Sequence, residues 1–133
     1  MSVYAKRVHN IYALPVSKNP WQRMHWTKRL AIKQQWELEI WGAVNGQPRL
    51  PRPARQVEVL PIVYWGKPGP LPDFHNLEMA HECIADGLVK AGMLPDDSDG
   101  QYVALRIQIE RAERGESRTE IRMYFVYGSD ETE

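Results

Sequence analysis

Between Val103 and Glu110 the sequence alternates without a break: Val103, Leu105, Ile107 and Ile109 are aliphatic, and Ala104, Arg106, Gln108 and Glu110 stand between them. A period of two sends successive side chains to opposite faces of an extended chain, so this segment predicts a half-buried strand. A lone strand cannot satisfy its backbone groups and needs partners. A polar turn around Gly115 follows, and Ile121 to Tyr127 supplies a return strand. A purely helical fold is thereby excluded. With 133 residues the chain has room for one core, so residues 1–133 are expected to form a single domain, with the acidic tail 129–133 frayed.

The rest of the chain has to cover that sheet. The apolar run from Val8 to Leu14, stopped at Pro15, predicts a first strand entering a loop over 15–21. Thr27 can cap a helix to about Val44 that carries Ile32, Trp36, Ile40 and Ala43 on one face and stops at Asn45-Gly46. Residues Val57 to Trp65 read as a second strand in which Pro61 predicts an edge or a bulge. Asn76 opens a second helix, with Leu77, Ile84, Leu88 and Ala91 on one stripe, closing near Gly92. The order strand, helix, strand, helix, strand, strand predicts an α+β fold: a small mixed sheet of about four strands with two main helices packed on it.

Composition narrows the function classes. Cys83 is the single cysteine, which excludes an internal disulfide and any all-cysteine zinc site. The sequence holds no apolar run long enough to span a bilayer, and Met1 to Arg7 lacks the apolar core of a signal peptide, so a cytoplasmic protein with no membrane partner is the expectation. The net charge of zero conceals a division. Residues 1–55 hold ten Lys or Arg against only Glu37 and Glu39, a charge of +8, and residues 56–133 carry −8. Such polarity suits a protein that grips a polyanion with one part and cations with another, and it suits equally a fold whose two halves neutralise each other.

Two segments gather acids at element ends: Asp73 with His75 before the second helix, and Asp96, Asp97 and Asp99 after it. Hard divalent cations take carboxylates and can polarise a phosphodiester, which makes Asp73, Asp96 and Asp97 candidate metal ligands. The same acids fit a helix N-terminal residue and a solvated turn. A straight helix between the segments would hold them roughly 25 Å apart, so they meet only if it stops or bends, for which Gly87 is the candidate position. His81 lies beside the apolar stripe and His75, Glu82 and Asp86 opposite it, so they do not converge on zinc. In the basic half, Trp21 to Arg29 interleaves aromatics with cations, which makes Lys18, Asn19, Arg23, Trp26, Lys28, Arg29 and Lys33 candidate DNA-binding residues, with Trp26 able to stack. Packing tryptophans beside solvated cations is the other reading of that segment.

Pro72-Asp73-Phe74-His75-Asn76-Leu77, then Gly87-Leu88-Val89-Lys90-Ala91-Gly92 and Pro95-Asp96-Asp97-Ser98, resembles the RusA family of Holliday junction resolvases, which reads Asp-x-Asp-Asn-Leu-x-Lys and then an aspartate pair after Ala-Gly. Leu14 to Asn19 is similar to the family's Pro-Ser-x-Asn loop, so the resemblance runs from about Ile11 to Tyr127. It implies a small homodimeric, Mg²⁺-dependent endonuclease, of a kind often encoded in prophages, that cuts four-way DNA junctions in recombination and repair. By this resemblance Asp73 and Asp97, with Asp96 beside it, hold the metal and are catalytic, His75 stands where the second metal aspartate is expected, and Asn76 holds the helix start. Met79 occupies the place of the family's catalytic lysine, and imidazole at 75 suits Mn²⁺ better than Mg²⁺. The alternative reading is a DNA-junction-binding protein that keeps the fold without the cleavage chemistry.

Overall fold

A computed structural model describes residues 3–45, 54–93 and 101–127. Asp96, Asp97 and the acidic tail lie outside the described residues. The order is β1 (Val3–Ile11), α1 (Lys18–Arg23), α2 (Trp26–Asn45), β2 (Gln56–Trp65), α3 (Met79–Lys90), β3 (Tyr102–Ala104), β4 (Gln108–Arg111) and β5 (Arg118–Tyr127), with a 3-10 turn over Phe74–Leu77. The class is α+β, as expected. β5 lies antiparallel between β1 and β2, and β3 and β4 both run parallel to the far side of β2.

Register fixes which face is covered. Val57, Val59 and Val63 of β2 pair with Phe125, Met123 and Thr119 of β5, and all six are fully buried. Trp36 and Ile40 of α2, with Ile84 and Leu88 of α3, join this same core. Burying each such side chain between the helices and the sheet contributes about 1.5–3 kcal/mol.

The continuous alternation in 103–110 does not make one strand. Partners are 45 positions apart at Val57 and Tyr102 and 46 apart at Ile62 and Gln108, so one extra residue sits between β3 and β4. Pro61 explains the break. Val57 N–H donates to the Gln101 carbonyl, and the Val59 carbonyl accepts from Leu105 N–H, so odd-numbered residues of β2 direct their backbone groups toward β3. Pro61 has the same parity and no N–H, and the ladder fails opposite it. The irregularity expected at Pro61 therefore falls on the neighbouring strand, and β2 is central rather than an edge.

Other boundaries move for local reasons. β1 begins at Val3 rather than Val8 and ends at Ile11, because Arg7 and His9, opposite Met123 and Ile121, occupy inward positions that a hydrophobic pattern skips. The expected loop over 15–21 contains α1; Pro20 falls in its first turn, where an absent N–H costs nothing. His25 rather than Thr27 caps α2: its Nδ1 accepts from Thr27 N–H at 3.3 Å, and its carbonyl accepts from Arg29 N–H at 3.1 Å. Asn76 lies in the 3-10 turn, and α3 starts only at Met79.

α3 is not broken at Gly87, which is buried inside it. It ends instead in a left-handed turn at Gly92, φ +77°, where Met93 N–H donates to the Leu88 carbonyl and Gly92 N–H to that of Val89. This pair of bonds is the Schellman motif, and it satisfies the last carbonyls of the helix. No helix among the described residues is long and apolar enough to cross a membrane.

Candidate nucleic-acid interface

The residues after β1 are tied down before α1 begins. Glu39 Oε1 accepts from the backbone N–H groups of Tyr12, at 2.7 Å, and Ala13, at 3.2 Å. Buried Thr119 donates its hydroxyl to the Ala13 carbonyl at 2.7 Å. The segment leading to Lys18 is thus fixed to both α2 and β5. Trp21 of α1 is buried, whereas Trp26, the first residue of α2, is 63% exposed.

The opposite wall is built after β2. The Arg111 guanidinium donates to the carbonyls of Lys67, at 2.9 Å, and Gly69, at 2.7 Å, which fixes the approach to Pro72. Asp73 Oδ1 then accepts from His75 N–H at 2.9 Å and caps the 3-10 turn. The Phe74 and His75 rings lie 4.0 Å apart, and the Arg106 guanidinium sits 4.7 Å from the Phe74 ring. The turn packs against α1.

Between the walls runs a groove of about 240 Å³ lined by Lys18, Trp21 and Gln22 on one side and His75, Asn76, Glu78, Met79 and Glu82 on the other. A second groove of about 290 Å³, lined by Trp21, Trp26, Arg29, Leu30, Lys33 and Glu82, adjoins it through Trp21 and Glu82. Of the residues expected to hold DNA, Lys18, Trp26, Arg29 and Lys33 line these grooves; Asn19, Arg23 and Lys28 are exposed elsewhere on α1 and α2. Lys33 does not stand free. Its Nζ lies 2.5 Å from Glu82 Oε1 and 3.8 Å from Asp86 Oδ2, and the hydrogen bond to Glu82 raises its pKa.

Among the described residues no three His, Cys, Asp or Glu side chains gather as a metal site. Asp73 gives one oxygen to the backbone, and a neutral imidazole is a poor ligand for Mg²⁺, so the described donors alone do not fit a hard divalent cation. Asp96 and Asp97, the remaining donors implied by the resemblance, lie outside the described residues. Met79 is buried on the groove floor, and Lys90, at the far end of α3, is held by Glu37 at 2.8 Å.

The remaining reactive groups serve the fold. Burial pushes the Cys83 thiol up to about 12, which leaves it no nucleophile. His81 donates from Nε2 to the Leu105 carbonyl at 2.9 Å and accepts at Nδ1 from the Tyr102 hydroxyl at 2.7 Å, joining α3 to the break between β3 and β4. Desolvation lowers its pKa. Sequence reading passed over Glu39, Arg106, Arg111 and Thr119. For Glu39 a signal existed: the two acids in the basic half, Glu37 and Glu39, both bind partners far along the chain.

No family model matches the sequence, and no curated protein matches it.

Proposed function

We propose that the chain is a RusA-like protein of branched DNA, acting as an endonuclease on four-way junctions. The observation that carries this reading is the convergence of Lys18 and Trp21 from one segment with His75 and Asn76 from another on a common groove. These segments are more than fifty residues apart, and Lys18, His75 and Asn76 belong to the motifs on which the resemblance rests. Cations and an exposed tryptophan beside the groove supply what phosphates and unstacked bases require. The Mg²⁺ or Mn²⁺ that the resemblance calls for would need carboxylates beyond Asp73, for which Asp96 and Asp97 are the candidates. A homodimer would match the two-fold symmetry of a junction.

A second reading, junction binding without cleavage, is favoured by Met79, which is buried where the family has its lysine, and by imidazole at 75. Incubating the protein with a labelled four-way junction and a linear duplex, with Mg²⁺ or Mn²⁺, separates the two. Paired symmetric nicks that vanish in Asp73→Asn support the nuclease. Retardation without nicks supports the binding protein, and no retardation at low salt sinks both.

A further inference from the structure

We infer that the groove between Trp21 and Trp26 receives a single unstacked nucleobase of a DNA strand, an inference that rests on DNA being the partner. The lining carries the argument. Trp21 is buried and lines the groove, and its backbone N–H donates to the Ser17 carbonyl at 3.0 Å. Trp26 stands at the start of a helix fixed by the His25 cap, so its exposed indole is presented from a rigid frame rather than a loop. Leu30, one turn further, extends the apolar wall. A flat, π-bearing ring is what such walls bind, and stacking on an aromatic side chain is indifferent to base identity.

Charge specifies the rest of the ligand. Lys33 is taken by Glu82 and Asp86, whereas Arg29 lines the same groove and has no ion-pair partner among the described residues. Arg29 is therefore the cation left for the phosphate next to the base. Lys33 and Glu82, paired with each other, both line the groove and offer a donor and an acceptor that the base edge can meet. The volume, about 290 Å³, lies just below the range for ligand clefts, roughly 300–1,000 Å³, and accommodates one base but not a duplex. Bases at a branch point, or in any single strand, are unstacked at little cost; those inside a duplex are not.

Binding by fluorescence anisotropy of a short oligothymidylate, against an abasic strand of the same length and charge, tests the inference at one fixed salt concentration. The intact protein is expected to hold the base-bearing strand about 10- to 100-fold tighter, the range that stacking of a base on an aromatic supports. Trp26→Ala should bring the oligothymidylate down to the abasic level and leave the abasic strand unchanged, and Trp26→Phe should keep most of the preference. Arg29→Ala should weaken both strands alike and lower the salt slope by about 1. Equal affinities for the two strands, or equal losses for both in Trp26→Ala, overturn it. Nicking of junctions is scored separately. A protein that prefers base-bearing strands but never nicks retains the base site and loses the nuclease reading; one that nicks without the preference does the reverse; one that binds neither strand overturns the base site.

Discussion

Gly87 of α3 lies so close to Ile40 of α2 that a Cβ placed on the glycine would stand 2.8 Å from Ile40 Cδ1. The two helices can approach because position 87 has no side chain, and the Lys33 to Glu82 and Lys90 to Glu37 pairs join the same two helices. In an exposed helix Gly→Ala would gain up to about 1 kcal/mol. Here Ile40 is 1% exposed and its Cδ1 methyl would have to shift within the core, so overpacking should outweigh that gain. Gly87→Ala is expected to lose about 1 kcal/mol in urea unfolding. Ile40→Val removes the offending methyl and alone should cost about 0.5–1.5 kcal/mol. The double variant should be more stable than the sum of the two losses predicts, which a double-mutant cycle measures directly.

Asp73 does two separable things under the proposed function. Its Oδ1 holds the 3-10 turn, and its charge would serve a cation. Asparagine keeps an oxygen for His75 N–H and removes the charge. Asp73→Asn should unfold within a few tenths of a kcal/mol of the parent while losing divalent-dependent nicking, and Asp73→Ala should in addition lose about 1 kcal/mol, the usual worth of such a cap. Urea midpoints and junction nicking measured on both variants check this; equal stability losses in the two would show that the cap is not the stabilising element.

Thr119 makes its bond from a fully buried position. Thr119→Val preserves the shape and leaves the Ala13 carbonyl without that donor, a loss of about 1–3 kcal/mol. Since Ala13 is also bonded by Glu39, the loss should be accompanied by faster amide exchange at Tyr12 and Ala13, read by hydrogen exchange. Glu39→Gln retains an oxygen acceptor and should perturb the same amides less.

The elements were legible where one physical cause dominated. Trp36 and Ile40 share a helix face, Ile121 and Met123 a strand face, and each pattern reads directly as a buried stripe. The split between β3 and β4 was not legible, because its cause, Pro61, lies on a different strand and acts through parity. Arg7 and His9 hid the start of β1 by placing polar groups at inward positions, and His25 took the cap from Thr27 through a ring nitrogen that capping patterns do not include. For the site, the residue types were readable and their grouping was not. Nothing local says that Lys33 is consumed by Glu82, or that Lys18 and His75 face each other across a groove.

Acid should weaken the fold through two histidines. Desolvation lowers the pKa of His81, against the opposing pull of its bond to the Leu105 carbonyl and of Glu78. Desolvation, and then Arg7, lower that of His9, whose Nε2 is buried without a hydrogen-bond partner among the described residues. In the unfolded chain both imidazoles titrate near the ordinary 6.5. Below that value the unfolded state takes up protons that the folded state refuses, so the stability these groups contribute is complete above pH 6.5 and is lost as pH falls from 6.5 through the lowered folded values. Urea midpoints should therefore drop between pH 7.5 and 5.5. His9→Leu removes one titrating group without taking a partner from Nε2, and its midpoint should fall less over the same interval; a drop as steep as that of the parent would show that His9 is protonated in the folded protein.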